Sequence, residues 1–129
     1  MGIFPRVYSL SIPLGTTINK NGLCVRLTIT ALALARIYGV QVTAAALLSM
    51  SVSAVTLAMA APDLMGSGII GLSLLLSNMG APVEAVGLIM GIEPIIDMFS
   101  TVCNCLGTLT STLVVAAREG LLDRETYNA

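Results

Sequence analysis

Asp97, Thr101, Asn104, Thr108 and Ser111 recur at spacings of 4, 3, 4 and 3, which puts five polar side chains on one face of a helix. Val102, Leu106, Leu109, Leu113 and Val114 fall elsewhere around the same segment. A carboxylate in an otherwise apolar membrane helix is costly and turns toward a partner or a cavity. One reading of the stripe is therefore a polar pathway. The other places Asp97 near a membrane interface, because Glu84 and Glu93 precede it. Enzyme chemistry finds little material. The chain has no histidine, so histidine-based acid–base or metal chemistry is excluded, and Ser100 has no histidine or lysine beside it in sequence. Cys24, Cys103 and Cys105 sit in apolar surroundings and read as buried free thiols. Cys103 and Cys105 are two residues apart, so a helix points them to different faces, which argues against a metal pair. No catalytic residues and no enzyme activity are expected.

The elements that must carry the stripe are membrane helices. Of 129 residues, 56% are hydrophobic and 10% charged, and the mean hydropathy is +0.94. A soluble domain carries about a quarter charged residues, so six basic and seven acidic side chains cannot cover a globule of this size. Between Arg36 and Asp63 lie 26 uncharged residues, and two further gaps, Asp63 to Glu84 and Asp97 to Arg118, hold 20 each. A spanning helix needs roughly 20 apolar residues. A net charge of −1 without Lys/Arg clusters speaks against a nucleic-acid partner and leaves membrane orientation open. Arg6 is followed by no uninterrupted apolar run and no cleavage site, so a signal peptide is not expected.

Five segments follow. Residues 4–18 are moderately apolar and stop at Asn19-Lys20-Asn21-Gly22. Residues 23–38 resume and end at Gly39. Residues 43–60 lead to Ala61-Pro62-Asp63-Leu64-Met65-Gly66-Ser67-Gly68, and residues 69–79 continue to Gly80-Ala81-Pro82. The last segment runs from about Glu84 to Arg118, before a short polar tail. Two arms of about 18 and 11 residues around a Pro/Gly turn fit a re-entrant hairpin, since the second is short for a span at about 1.5 Å per residue. Backbone that leaves the helix at membrane depth must line protein or a cavity, and such breaks mark substrate and ion sites in secondary transporters. The plainer alternative is that both breaks are surface loops joining four ordinary helices.

Several of these stretches resemble one family. Ile12-Pro13-Leu14-Gly15-Thr16-Thr17-Ile18-Asn19-Lys20-Asn21-Gly22 is similar to the seventh transmembrane helix of the dicarboxylate/amino acid:cation symporters, the glutamate/aspartate transporter family. Ala61 to Gly68 resembles that family's second hairpin tip. Glu93-Pro94-Ile95-Ile96-Asp97-Met98-Phe99-Ser100-Thr101-Val102-Cys103-Asn104 resembles its eighth helix, and Val114-Val115-Ala116-Ala117-Arg118-Glu119-Gly120 its closing motif. The resemblance implies an all-α membrane protein with a broken transmembrane helix, a re-entrant helical hairpin and a long C-terminal transmembrane helix. It implies one partial transport domain over residues 1–129: the broken seventh helix (1–39), the second hairpin (43–80), the eighth helix (84–118) and a polar tail (119–129). A multi-pass location in the plasma or inner membrane, an amino acid substrate, a missing N-terminal transporter half and a homotrimeric intact protein are implied with it. The chain reads as a truncated or split transporter. The alternative is a small membrane-associating protein that carries nothing itself.

The resemblance also assigns residues. It implies that Asp97 binds the substrate's amino group, that Thr101 and Asn104 contact its backbone, and that Pro62 and Gly66 of the hairpin tip are substrate-binding positions. The family arginine that clamps an acidic side chain is replaced by Ser100, and a further side-chain contact by Leu23, so bidentate carboxylate capture is lost and a neutral amino acid is expected. The implied cation-site positions are Gly15, Thr17, Asn19, Lys20, Asn21, Asn104 and Thr108. Asn21 and Thr108 stand where the family has aspartates, and Lys20 where it has methionine. Hard cations want anionic oxygens, so sodium coupling is expected to be altered or absent. The plain reading is a fragment that has accumulated substitutions; the alternative puts the Lys20 ammonium in place of a cation, near Asn21, Asn104 and Thr108, with Asp97 the one intramembrane carboxylate able to pair with it. A proton is then the alternative coupling ion, and no organic cofactor is implied.

Overall fold

Pro5 opens the first helix, α1 (Pro5–Ile18), at a position where a missing N–H costs nothing. The computed structural model describes residues 2–61 and 66–128. Helix α1 stops at Asn19, whose ψ of 92° is extended while its N–H still reaches Gly15 O at 2.7 Å. After Lys20 the chain resumes as α2 (Asn21–Ile37), so the first apolar passage is broken at Asn19-Lys20. Helix α2 ends at Gly39, whose φ of +72° allows Gly39 N–H to reach Arg36 O and Val40 N–H to reach Ala35 O. This left-handed cap strongly favours glycine.

Thr43 caps α3 (Ala44–Ala60) by accepting from Ala46 N–H. Helix α4 (Ser67–Asn78) follows, starting after Gly66 at φ +88°. Between them, residues 62–65 carry most of the expected hairpin tip, including Pro62, and lie outside the described residues. At about 1.5 Å per residue, the 12 residues of α4 fall well short of a bilayer's width.

The apolar core joins α2, α3 and α4. Leu23, Leu27, Ala31 and Leu34 form one stripe of α2, Met50, Ala54 and Ala58 one stripe of α3, and Leu72, Leu75 and Leu76 the matching side of α4. Ala31, Ala54 and Ala58 are at most 1% exposed. Small residues at these crossings let the backbones approach closely.

The last segment differs from the single helix expected from Glu84. A 3-10 turn (Val83–Val86) and one helical turn, α5 (Gly87–Met90), come first, and the long helix α6 begins at Glu93 and ends at Arg118. Pro94 explains the interruption: it has no N–H to offer and its ring excludes the carbonyl four residues back, so it is suited to a first turn and not to a helix interior. The 26 residues of α6 make it, among the described residues, the one helix long and apolar enough to cross a membrane by length and composition. Its outer face carries Met98, Phe99, Val102 and Leu106, all exposed on the isolated chain. Cys103, on the side of α6 next to Gly22, and Cys105 are exposed and Cys24 is half-buried, all three free. The expected burial of the thiols therefore fails.

The two ends of the chain meet. Asp123 N–H donates to Gly2 O at 2.7 Å, and Ile3 pairs with Leu122 in a single antiparallel bridge. Asp123 then caps the final turn, α7 (Arg124–Asn128), accepting from the Thr126 hydroxyl and from the N–H groups of Thr126 and Glu125. These bonds, the Thr126 hydroxyl first, hold its carboxyl below the usual carboxylate value.

Candidate functional site

The break between α1 and α2 is built against the polar face of α6. Asn19 Nδ2 donates to Asn104 O at 3.0 Å and to Thr108 Oγ1 at 3.2 Å. Thr108 Oγ1 donates in turn to Asn104 O at 3.1 Å. Gly22 N–H, one of the donors left over at the start of α2, is shared between Asn104 Oδ1 at 2.7 Å and Asn21 Oδ1 at 2.9 Å. The close approach depends on glycine. A Cβ at Gly15 would collide with the Thr108 side chain, at Gly22 with the Ser100 carbonyl, and at Gly107 with the Asn19 amide. Every group in this cluster is neutral. Asn104 O, Thr108 Oγ1, Asn104 Oδ1 and Asn21 Oδ1 each accept from an N–H or O–H group, and among the described residues no carboxylate belongs to the cluster. The described set therefore lacks the anionic oxygens that a hard cation prefers.

A second cluster lies further toward the N-terminus of α6, and it is charged. Arg26 Nη1 donates to Glu93 Oε1 at 2.7 Å, with both side chains nearly fully buried. Arg26 Nη2 lies 3.4 Å from Asp97 Oδ1, within ion-pair range but not aligned as a hydrogen bond, and the Asp97 side chain remains 47% exposed. Arg26 Nε and Nη2 are both buried without a hydrogen-bond acceptor among the described residues. Gly68, at the start of α4, packs so closely that a Cβ there would land on Arg26 Nη2. Between α2 and α6 a cavity of about 520 Å³ is lined by Gly22, Val25, Arg26, Ile96, Phe99 and Ser100 among others.

The residues singled out in the sequence distribute as follows. Asp97, Asn104 and Thr108 share the inward side of α6, but the packed line continues through Ser100 and Thr112, both buried, while Thr101 and Ser111 are exposed. A 3–4 alternation cannot distinguish neighbours one position apart, and contact with α1 and α2 selects the former pair. Leu23 sits in the apolar core with Leu27 and does not line the α2–α6 cavity. Thr17 is exposed, its hydroxyl bonded back to Pro13 O at 3.0 Å. Gly66 opens α4 with open space beside it. Lys20 is buried and its Nζ donates to Ala61 O at 3.3 Å, at the end of α3. Asn104 O and Thr108, expected as its neighbours, are taken by Asn19, because the extended backbone at Asn19 turns the next side chain toward α3. The cation beside Asp97 is likewise Arg26, where Lys20 was expected, and Asp97 is not the one carboxylate inside: Glu93 is buried deeper. Arg26 is the site residue that spacing alone passed over. Its signal was present, as a lone charge flanked by Val25 and Leu27 in an apolar run.

Among the described residues the protein is all-helical, with polar groups gathered around a helix break and many apolar side chains exposed. Residues 1–118 match the family model described as the sodium:dicarboxylate symporter family, and the chain belongs to that family. Among curated proteins, the chain is 28% identical over 117 residues to a "Proton/sodium-glutamate symport protein" of Bacillus subtilis, covering 91% of this chain and 27% of the relative. It is 27% identical over 110 residues to "Excitatory amino acid transporter 3" of Mus musculus, covering 85% and 21%. It is 29% identical over 107 residues to an "Excitatory amino acid transporter" of Onchocerca volvulus, covering 83% and 22%. The chain thus spans about a fifth to a quarter of the length of these relatives, which are transporters and not enzymes. No solved structure matches it.

Proposed function

We propose that this chain is the substrate-site portion of a secondary amino acid symporter, selective for a neutral amino acid and weakly or not at all coupled to sodium. The observation that carries the reading is Asp97, a half-exposed carboxylate on α6 whose Oδ1 lies 3.4 Å from Nη2 of Arg26, a residue that lines the α2–α6 cavity. Such a carboxylate accepts an ammonium group, and charge-assisted bonds of this kind are the strong ones. Relatives named as glutamate and excitatory amino acid transporters support amino acids as the substrate class. Neutral selectivity follows from position 100. Serine there makes no bidentate pair with an acidic side chain, and Arg26 already has Glu93 and Asp97 around it, so its spare nitrogens suit one carboxylate and not two. An acidic side chain would bring a further carboxylate to one guanidinium. Weak sodium coupling follows from the neutral, donor-filled cluster around Asn19, Asn104 and Thr108. Transport itself would take place in a lipid bilayer, with α3 and α4 as a re-entrant hairpin and with a complementary N-terminal half in a trimer.

Competition binding to the chain in lipid nanodiscs tests this. Alanine and serine should displace one another and aspartate should not. Asp97→Ala should abolish binding, and Ser100→Arg should shift preference toward aspartate. Tight aspartate binding by the unmodified chain, or alanine binding that survives Asp97→Ala, would contradict the reading.

A further inference from the structure

We infer that Arg26 is a specificity-determining residue that receives the ligand's α-carboxylate, so that the Arg26–Asp97 pair is a zwitterion receptor. This rests on the proposed amino acid reading of the site and adds to it a residue on a different helix from Asp97.

Arg26 is 8% exposed, yet only Nη1 of its guanidinium has a well-made hydrogen bond, to Glu93. Two further nitrogens, Nε and Nη2, are buried with no hydrogen-bond acceptor among the described residues. A buried donor without an acceptor is expensive to keep, and buried guanidinium N–H groups are matched to the geometry of a carboxylate. Arg26 also lines the α2–α6 cavity, so an acceptor entering there has a route to it. The bond to Glu93 fixes the guanidinium plane, and the close packing of Gly68 leaves its Nη2 end little room to move.

Asp97 Oδ1 lies 3.4 Å from Arg26 Nη2. A negative and a positive group so close together form a local dipole. An α-amino acid, whose ammonium and carboxylate are held on adjacent carbons, offers the opposite dipole at matching separation. Set against the pair, its ammonium faces Asp97, its carboxylate faces Arg26, and four charges alternate around a ring. A ligand with only an ammonium leaves the two Arg26 donors unsatisfied, and a ligand with only a carboxylate leaves Asp97 with Arg26 alone. The side chain of the bound amino acid would then lie in the apolar part of the cavity, against Val25, Ile96 and Phe99.

The experiment measures L-alanine, L-alaninamide and propionate binding to the full chain in lipid nanodiscs, at a pH where both amines are protonated. The unmodified chain should prefer alanine to alaninamide by about ten- to a hundredfold, the size of one charge-assisted hydrogen bond. In the Arg26→Gln/Glu93→Gln double variant, which removes the buried pair together, that preference should fall to near unity while alaninamide affinity stays within a few-fold. A packing role alone would weaken both ligands equally and leave the ratio intact. Should the double variant fail to fold, Arg26→Lys carries the test, because a point charge in place of the planar fork should reduce the ratio several-fold. An unchanged ratio in the folded variants overturns the inference and leaves the amino acid reading standing. Failure of the unmodified chain to bind alanine, serine, aspartate or glutamate overturns both.

Discussion

Helix α6 meets the first passage of the chain twice, through neutral groups at Asn104 and Thr108 and through charges at Glu93 and Asp97. At the neutral contact Asn19 Nδ2 has two acceptors, and Gly22 N–H is shared between two amide oxygens. At the charged contact one guanidinium is hydrogen-bonded to Glu93 through Nη1 alone; Nη2 is only in ion-pair range of Asp97, and neither it nor Nε has a hydrogen-bond acceptor among the described residues. The first arrangement ties the helix break to α6 through neutral hydrogen bonds. The second is incomplete without a further acceptor. A satisfied neutral network contributes order, whereas a buried charge with spare donors is the expected mark of a binding function.

Breaking the charged contact should have the largest effect. Arg26→Ala leaves Glu93 buried without a cation and should destabilise the chain by about 3–5 kcal/mol, read by thermal unfolding in detergent. The Arg26→Ala/Glu93→Ala double variant should recover much of that loss. A single variant as stable as the parent would mean that the pair is not buried as described. At the neutral contact the effect should be smaller. Asn104→Ala removes one of the two acceptors of Gly22 N–H, and because Asn21 Oδ1 remains the cost should be near the low end of about 1–3 kcal/mol. If Asn104→Ala cost more than Arg26→Ala, the contrast between the contacts would be reversed.

The smallest effect lies outside both clusters, at the tail. Bonds from Thr126 and Glu125 lower the carboxyl of Asp123 from its usual 3.8, so its contribution is fully present above that value and is lost as pH falls through the lowered one. Acidification below about pH 3.8 should fray residues 124–128 before the rest. Amide exchange resolved by residue would detect this. Uniform loss of protection along the chain would show that the cap contributes nothing local.

The difference between the contacts also explains what the sequence disclosed. The break at Asn19-Lys20 was legible because a polar, glycine-containing stretch interrupts an apolar run, and both features act locally. The two arms of residues 43–79 were legible from a Pro/Gly turn and from length. The true start of α6 was less so: Pro94 had to be weighed against an apolar pattern continuous from Val83, and only its steric exclusion of a preceding turn decides for Glu93. The charged contact was hidden for another reason. Arg26 and Glu93 are separated by 67 positions, and nothing in the spacing around either names the other. The same holds for Lys20, whose bond to Ala61 depends on how α3 packs beside the break.

The most direct test of the central claim is a sodium titration of alanine and aspartate binding to the full chain in nanodiscs, with potassium replacing sodium at constant ionic strength. The account predicts that alanine binds, that aspartate binds more weakly by about ten- to a hundredfold, and that neither affinity changes appreciably between sodium-free and sodium-saturated buffer. Steep sodium dependence, or aspartate bound more tightly than alanine, would contradict it.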